Sequence, residues 1–321
     1  MPGIGVSGNN GSAATSAGCS PEFIMKYLPA SEGFLGLDSG DSVPVGEAEA
    51  VIVPFGLEAS VSYGGGTALG PRAILQASHQ VELFDEEFWK EVYRDYGVAT
   101  LDYPEISSFI PDALEQLADT INLILEQKKF PLVLGGEHSL TAGSIRPFVE
   151  RFPDLAILHF DAHADLRDGY EGEHFSHAAA LRRVMDHPID TLVSVGIRNI
   201  SAGEIGFLES NSNRIHVHWA KDRKHWDPLA IVEPLRDRPV YLTFDLDGFD
   251  SSLMSATGTP EPGGLYWDEA IAIIRAASEA ATIVGADVVE LAPRPELHAC
   301  DFLAAKLCYK ILNFALSARN A

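Results

Sequence analysis

Eight short apolar runs recur along the chain, each bounded by polar or turn-forming residues. They are EAVIVPF (49–55), YGVATL (96–101), FPLVLG (130–135), LAILHF (155–160), TLVSVGI (191–197), RIHVHW (214–219), PVYLTFD (239–245) and TIVGADVV (282–289). The runs are β-branched and nearly continuous rather than alternating, which predicts strands of a parallel sheet covered on both faces. Helical periodicity fills the gaps. PDALEQLADTINLILEQKK (111–129) sets Leu114, Leu117, Ile121 and Leu125 on one face, with Pro111 and Asp112 suited to its first turn and Lys128 and Lys129 to its last. WDEAIAIIRAASEAA (267–281) and DFLAAKLCYKILNFALSA (301–318) repeat the pattern, and GPRAIL (70–75) opens a helix with proline near its start. Alternating strands and helices predict an α/β layered fold with right-handed crossovers.

Residues 1–20 are small and polar and predict a flexible arm, and residues 28–47, rich in Gly, Ser and Asp, read as a surface connection. No later linker or internal repeat divides the chain, so the expected organisation is an arm and connection over 1–47 and one domain over 48–321.

Charge narrows the partners. The chain carries 46 acidic and 23 basic residues, a formal charge of −23. Nucleic acid is disfavoured, because phosphate backbones require clustered Lys and Arg. Cations are favoured: metal ions, polyamines or guanidinium compounds. Three cysteines without CxxC spacing predict neither a disulfide framework nor a thiolate metal site, and fit a reducing, cytoplasmic compartment. The opening residues lack the basic start and apolar run of a signal peptide, and no stretch of 18 apolar residues predicts a membrane span.

The candidate chemistry lies where strands end, the edge at which open α/β sheets bind ligands. Glu137-His138 follows one run, and Asp161, His163 and Asp165 follow the next. Asp245 and Asp247 follow a third, and Glu290 a fourth. Positions i, i+2 and i+4 share a face in extended backbone, so each set can look into one pocket. A lone DxH is a weak signal, but several clusters at equivalent strand ends are hard to assign to turns. Four gathered carboxylates repel in a low dielectric unless they protonate or bind cations. Two divalent ions balance them, and oxygen plus imidazole ligands without sulfur suit Mn²⁺ ahead of Mg²⁺, Co²⁺, Ni²⁺ or Zn²⁺. Two metals roughly 3.5 Å apart can activate one water as a nucleophile.

Five segments carry a resemblance: GGEHSL (135–140), FDAHADLRD (160–168), TFDLDGFDSS (243–252), ATGTPEPGGL (256–265) and DVVELAP (287–293). In this order they resemble the signatures of the ureohydrolase family of arginases and agmatinases, and SYGGGTALGPRAIL (62–75) and HFSHAAALRR (174–183) resemble its agmatinase branch. The resemblance spans roughly 48–318. It implies a three-layer α/β/α sandwich with a mainly parallel eight-stranded sheet, a homo-oligomer (trimer or hexamer), and two Mn²⁺ ions. It makes His138, Asp161, Asp165 and Asp245 the ligands of one ion, and Asp161, His163, Asp245 and Asp247 those of the other. It gives Asp165 the task of orienting the attacking hydroxide, Glu290 that of gripping the guanidinium, and His177 that of shuttling protons, with His174 as competitor.

The implied reaction is hydrolysis of agmatine to putrescine and urea. Guanidinobutyrate, guanidinopropionate, aminopropylagmatine and free guanidine are the alternative substrates. Arginine is disfavoured, because Arg167 stands where arginases carry an Asn and their Ser-Gly-Asn loop is missing. Ser251, Ser252 and Met254-Ser255 also depart from the family pattern, without touching an expected ligand. The stretch Arg167, Asp168, Tyr170, Glu171, Glu173 is expected at the pocket mouth, where three acids and one Arg favour an amine tail; an inward Arg167 would instead capture a carboxylate. Two other classes fit the sequence less well. A dinuclear phosphoesterase would need a downstream GDxxD and an Asn-His pair, which the chain lacks, and a catalytically silent metal-binding relative is disfavoured by the intact ligand set.

Overall fold

The computed structural model describes residues 1–3 and 25–317. Most of the expected N-terminal arm therefore lies outside the described residues. All eight apolar runs form strands: β1 (Ala50–Phe55), β2 (Val98–Thr100), β3 (Phe130–Gly135), β4 (Ala156–Phe160), β5 (Thr191–Ile197), β6 (Ile215–Trp219), β7 (Pro239–Asp245) and β8 (Thr282–Val289). They pair in the order β2-β1-β3-β8-β7-β4-β5-β6, every pair parallel. The chain fills one flank, then the other, and inserts β7 and β8 last into the centre. As a result the ends of β3, β8, β7 and β4 are neighbours, although their sequences are far apart.

Strand alternation builds two cores. From β3 and β4, Leu132, Leu134, Leu158 and Phe160 face one core, which includes Ile271 and Ile274 of the helix Trp267–Ala280 and Leu307 and Ile311 of the helix His298–Ser317. Val133 and Ile157 face the other, which includes Leu114, Leu117 and Ile121 of the helix Ile110–Glu126. Helices thus cover both faces of the sheet, giving the expected three-layer α/β/α sandwich. Residues 28–47 depart from a simple surface connection: Phe34, Leu35 and Leu37 are buried in the first core, and Leu28 N donates to Thr100 O at the β2 edge. Gly and Ser dominate that stretch and mask three apolar anchors. No helix of the described residues is long and apolar enough to cross a membrane.

Phe160 stacks on Phe244 at 4.7 Å between the central strands β4 and β7. Phe160→Ala should cost about 3–5 kcal/mol of stability. Leu229→Ala, at a 59% exposed side chain, should stay within about 0.5 kcal/mol. Urea-denaturation midpoints of the two variants check the contrast.

Candidate active site

Close backbone approaches draw the strand ends into one site. A Cβ on Gly136 would lie 1.9 Å from Leu57 O, so only glycine lets the loop after β3 cross the loop after β1. Glu137 N then donates to Leu57 O, and His138 opens a short 3₁₀ turn. A Cβ on Gly248 would lie 2.9 Å from Asp161 N, so glycine lets the turn after β7 pack against the end of β4. Glu290 follows β8 directly, and its N–H donates to Gly136 O. Asp165 and Glu290 both hold positive φ, +51° and +67°, a strained conformation for residues with a Cβ that clusters at functional sites.

The strand ends deliver two ligand groups that share one residue. His138 Nδ1 faces Asp161 Oδ2 at 3.1 Å, Asp165 Oδ2 at 3.1 Å and Asp245 Oδ2 at 3.4 Å. None is aligned for a hydrogen bond, so this buried nitrogen has no hydrogen-bond partner among the described residues. His163 Nδ1 faces Asp247 Oδ2 at 3.1 Å and Asp161 Oδ1 at 3.5 Å. Asp161 thus turns one oxygen to each group. Backbone donors fix the carboxylates: His163 N to Asp161 Oδ1, Asp247 N to Asp245 Oδ1 and Ala162 N to Asp247 Oδ1. On the other side of the His138 ring, Nε2 meets Thr243 Oγ1 at 2.9 Å.

For the polypeptide alone, burial drives these groups toward neutrality and their neighbours push back. Burial, with the charges of Asp247 and Asp161, raises the Asp245 carboxyl far above the usual range, and burial also raises Asp247. Burial acts the same way on Asp161, but the facing His138, His159 and His163 rings outweigh it and hold that carboxyl far below. Burial disfavours the charged imidazoles, yet the facing carboxylates raise His138 and His163 well above the ordinary range. The carboxylates therefore demand positive charge.

A divalent cation fits this demand. Metal–ligand bonds of about 2.0–2.2 Å put adjacent ligand atoms about 3 Å apart. The observed spacings around His138 Nδ1 and His163 Nδ1 match that edge. The donor set is oxygen and imidazole, suited to borderline and hard divalent ions. His159 also faces the cluster, but its Nε2 meets Asp161 Oδ2 at 2.9 Å and its Nδ1 meets Ser194 Oγ at 3.0 Å, so both ring nitrogens are engaged. It supports Asp161 from behind.

Above the cluster opens a cleft of about 320 Å³ lined by His138, His163, Asp165, Asp245, Asp247, Glu290, His177, Arg167 and Tyr170, among others. Of the expected metal ligands, all but the wholly buried Asp161 line it. Glu290 Oε1 accepts the His138 N–H at 2.8 Å. His177 follows the N-cap Ser176, whose hydroxyl accepts from Ala178 N. His174 packs on Phe175 and Arg183 and does not line the cleft. The expected mouth needs correction: Arg167 and Tyr170 line it, but Asp168, Glu171 and Glu173 do not. The chain doubles back through a tight turn, Tyr170 N to Glu173 O and the reverse. Asp168 then accepts from Arg183 and Glu173 from Phe175 N, while Glu171 sits exposed at φ +51°. The acids at the cleft are instead Glu204 and Glu261. Arg167 stacks 4.9 Å over the Tyr170 ring and approaches Glu204 at 3.8 Å.

Several contributors escaped sequence reasoning. His159 carried a usable signal, because it shares the i, i+2 face with Asp161. Ser60 and Ser62, which contact His177, and Arg198, whose guanidinium joins Asp247 O and Glu261 O, carried none.

Residues 48–313 match the model of the family described as the arginase family. The chain is 34% identical over 287 residues to the N(1)-aminopropylagmatine ureohydrolase of Synechocystis sp., covering 87% of this chain and 92% of that protein. It is 34% identical over 262 residues to the agmatinase of Bacillus anthracis, covering 77% and 84%. Among solved structures, the agmatine ureohydrolase of Thermoplasma volcanium superposes with a TM-score of 0.79 at 27% identity, covering 88% of this chain and 94% of that one.

Burial, with smaller contributions from neighbouring charges, pushes the Glu290 carboxyl from the ordinary 4.5 up to about 8 in the metal-free protein. Between those values the folded state keeps a proton that the unfolded chain has lost. Its stabilising contribution is complete below about pH 4.5 and is lost as pH rises toward about 8. Glu290→Gln should therefore flatten the stability decline of chelator-treated protein across this window. Urea midpoints from about pH 5 to 8 test this; identical slopes for the two proteins would contradict the upward shift.

Proposed function

The chain belongs to the arginase family, and on that premise we propose that it is a ureohydrolase that cleaves agmatine to putrescine and urea. The observation that carries this reading is Asp161, a fully buried carboxylate whose two oxygens face two separate ligand groups on a cleft floor shared with Glu290. We assign His138, Asp161, Asp165 and Asp245 to one cation and Asp161, His163, Asp245 and Asp247 to the other, with Mn²⁺ the favoured ion. Asp245 approaches the His138 group directly; its part as a second bridge rests on the family resemblance.

When bound, two divalent cations would supply a water deprotonated near neutral pH and a positive field for the reacting centre. The protein supplies position. Glu290, fixed through its bond to His138 N, offers a carboxylate to the N–H fork of a guanidinium. Asp165 orients the attacking oxygen and faces the ammonium that develops as the C–N bond breaks. His177 exchanges a proton with the leaving amine. Water adds across one C–N bond, giving urea and a primary amine.

The mouth supports an amine tail. Glu204 and Glu261 line it, and the one lining arginine, Arg167, is engaged by Tyr170 and Glu204. A carboxylate tail would have to compete for it. A second reading, N(1)-aminopropylagmatine as substrate, draws on the Synechocystis relative, which matches as well as the agmatinase of B. anthracis does. A trimer or hexamer in a reducing, cytoplasmic compartment completes the proposal.

Two measurements test it. Asp161→Ala should lose both bound metals and His138→Ala mainly one; two tightly held ions in Asp161→Ala would remove the bridging assignment. In urea-release assays, agmatine should exceed arginine and guanidinobutyrate by at least about tenfold in kcat/KM, equivalent to about 1.4 kcal/mol. A preference for guanidinobutyrate that vanishes in Arg167→Ala would overturn the agmatine reading.

A further inference from the structure

Two serines of the loop after β1 hold the two ring nitrogens of His177, and a buried carboxylate holds one of those serines. Glu137 is fully buried, and both its oxygens act as acceptors. Oε2 takes Ala59 N and Ser60 N at 2.5 and 2.6 Å, and Oε1 takes Ser60 Oγ at 2.8 Å and Ser139 Oγ at 2.5 Å. The single hydroxyl proton of Ser60 is therefore committed to Glu137. Its oxygen can only accept, and it accepts the His177 backbone N–H at 2.9 Å. The same oxygen lies 3.2 Å from His177 Nδ1. With no proton left to give, Ser60 can bond Nδ1 only if Nδ1 carries the hydrogen. Ser176 Oγ also lies 3.3 Å from Nδ1, but the shorter contact is to Ser60, which can only accept, so Nδ1 is assigned the hydrogen and Nε2 is the basic nitrogen; Nε2 faces Ser62 Oγ at 2.7 Å, on the cleft wall. A carboxylate, a hydroxyl and an imidazole thus form a chain that orients the ring from its far side.

We propose that Ser60, held by Glu137, is a positioning residue that fixes His177 in the tautomer protonated on Nδ1, so that Nε2, through Ser62, exchanges protons with the substrate. This rests on the reading of His177 as the proton-transfer group. In the exchange Nε2 first takes a proton from solvent; Ser62 then gives its hydroxyl proton to the leaving nitrogen and takes the proton from Nε2, which returns the ring to its neutral form. One proton moves outward, and neither hydroxyl changes charge overall.

The test is a double-mutant cycle of Ser60→Ala and His177→Ala in the metal-loaded enzyme, read as urea release from agmatine, with Ser60→Thr as the conservative control. Ser60→Ala should lower kcat at least about tenfold with KM and metal content little changed. Ser60→Thr should restore it, and in the His177→Ala background Ser60→Ala should have no further effect. Equal losses in both backgrounds would overturn the proposal, because Ser60 would then act on the loop and not on the imidazole. The Ser60 N–H to Glu137 survives in Ser60→Ala, which protects the loop. Imidazole ¹⁵N spectra read the tautomer without any turnover: wild type should show the neutral ring protonated on Nδ1 and Ser60→Ala a mixture. A wild-type ring protonated on Nε2 would also overturn the proposal. A wild type that releases urea from no guanidino compound, yet shows the Nδ1 tautomer, would sink the functional reading and leave the positioning intact.

Discussion

Four buried carboxylates, Asp161, Asp165, Asp245 and Asp247, converge with three imidazoles, His138, His159 and His163, to answer them. Like charges at this separation in a low dielectric repel strongly. A fold can hold them only where backbone donors are fixed and countercharge is available. The central strands meet the first need, because residues that end neighbouring parallel strands present free N–H groups to one another's side chains. Ala162 N reaching Asp247 is an example that crosses from β4 to β7. The second need is what makes the cluster a cation site.

Much of the surrounding structure serves this arrangement. The absence of a side chain at Gly136 and Gly248 lets two pairs of loops meet closely, those after β1 and β3 and those after β4 and β7. Arg198, after β5, donates to the carbonyls of Gly196, Asp247, Phe249, Glu261 and Pro262, binding the β7 loop to the segment that forms the cleft rim. Its chemistry is scaffolding, since its donors are spent on backbone. Glu137 does the same for the loop after β1. Two residues expected to act on substrate or metal, Asp165 and Glu290, hold positive φ, and backbone bonds tie both, Arg182 N to Asp165 O and Glu290 N to Gly136 O.

The cleft divides into a floor and a mouth with different demands. On the proposed reading, the floor would recognise what every guanidino compound shares, a planar cation with paired N–H groups. The mouth must recognise the tail, and its charge balance comes from residues distant in sequence. Glu204 belongs to the first turn of the helix Ala202–Ser210, where it closes a capping box with Ser201, and Glu261 to the loop after β7. The local run of acids after the second cluster contributes nothing to it, because the 170–173 turn rotates them outward.

The sequence by itself determined the strands, the layers and the floor of the site. Buried parallel strands need continuous apolar runs, so β1, β3, β5 and β7 could be marked to within a residue. Ligands at strand ends obey a period of two, so Asp161, His163 and Asp165 were legible as a set. Tertiary structure alone decided the rest. Phe34, Leu35 and Leu37 are core residues within a Gly- and Ser-rich stretch, because burial depends on what packs above them and not on local composition. The partnership of Ser60 and Ser62 with His177, and the exclusion of Asp168, Glu171 and Glu173 from the mouth, follow from where loops cross and turn. The Ser60 and Ser62 contacts join residues more than a hundred positions apart, and no local period encodes them.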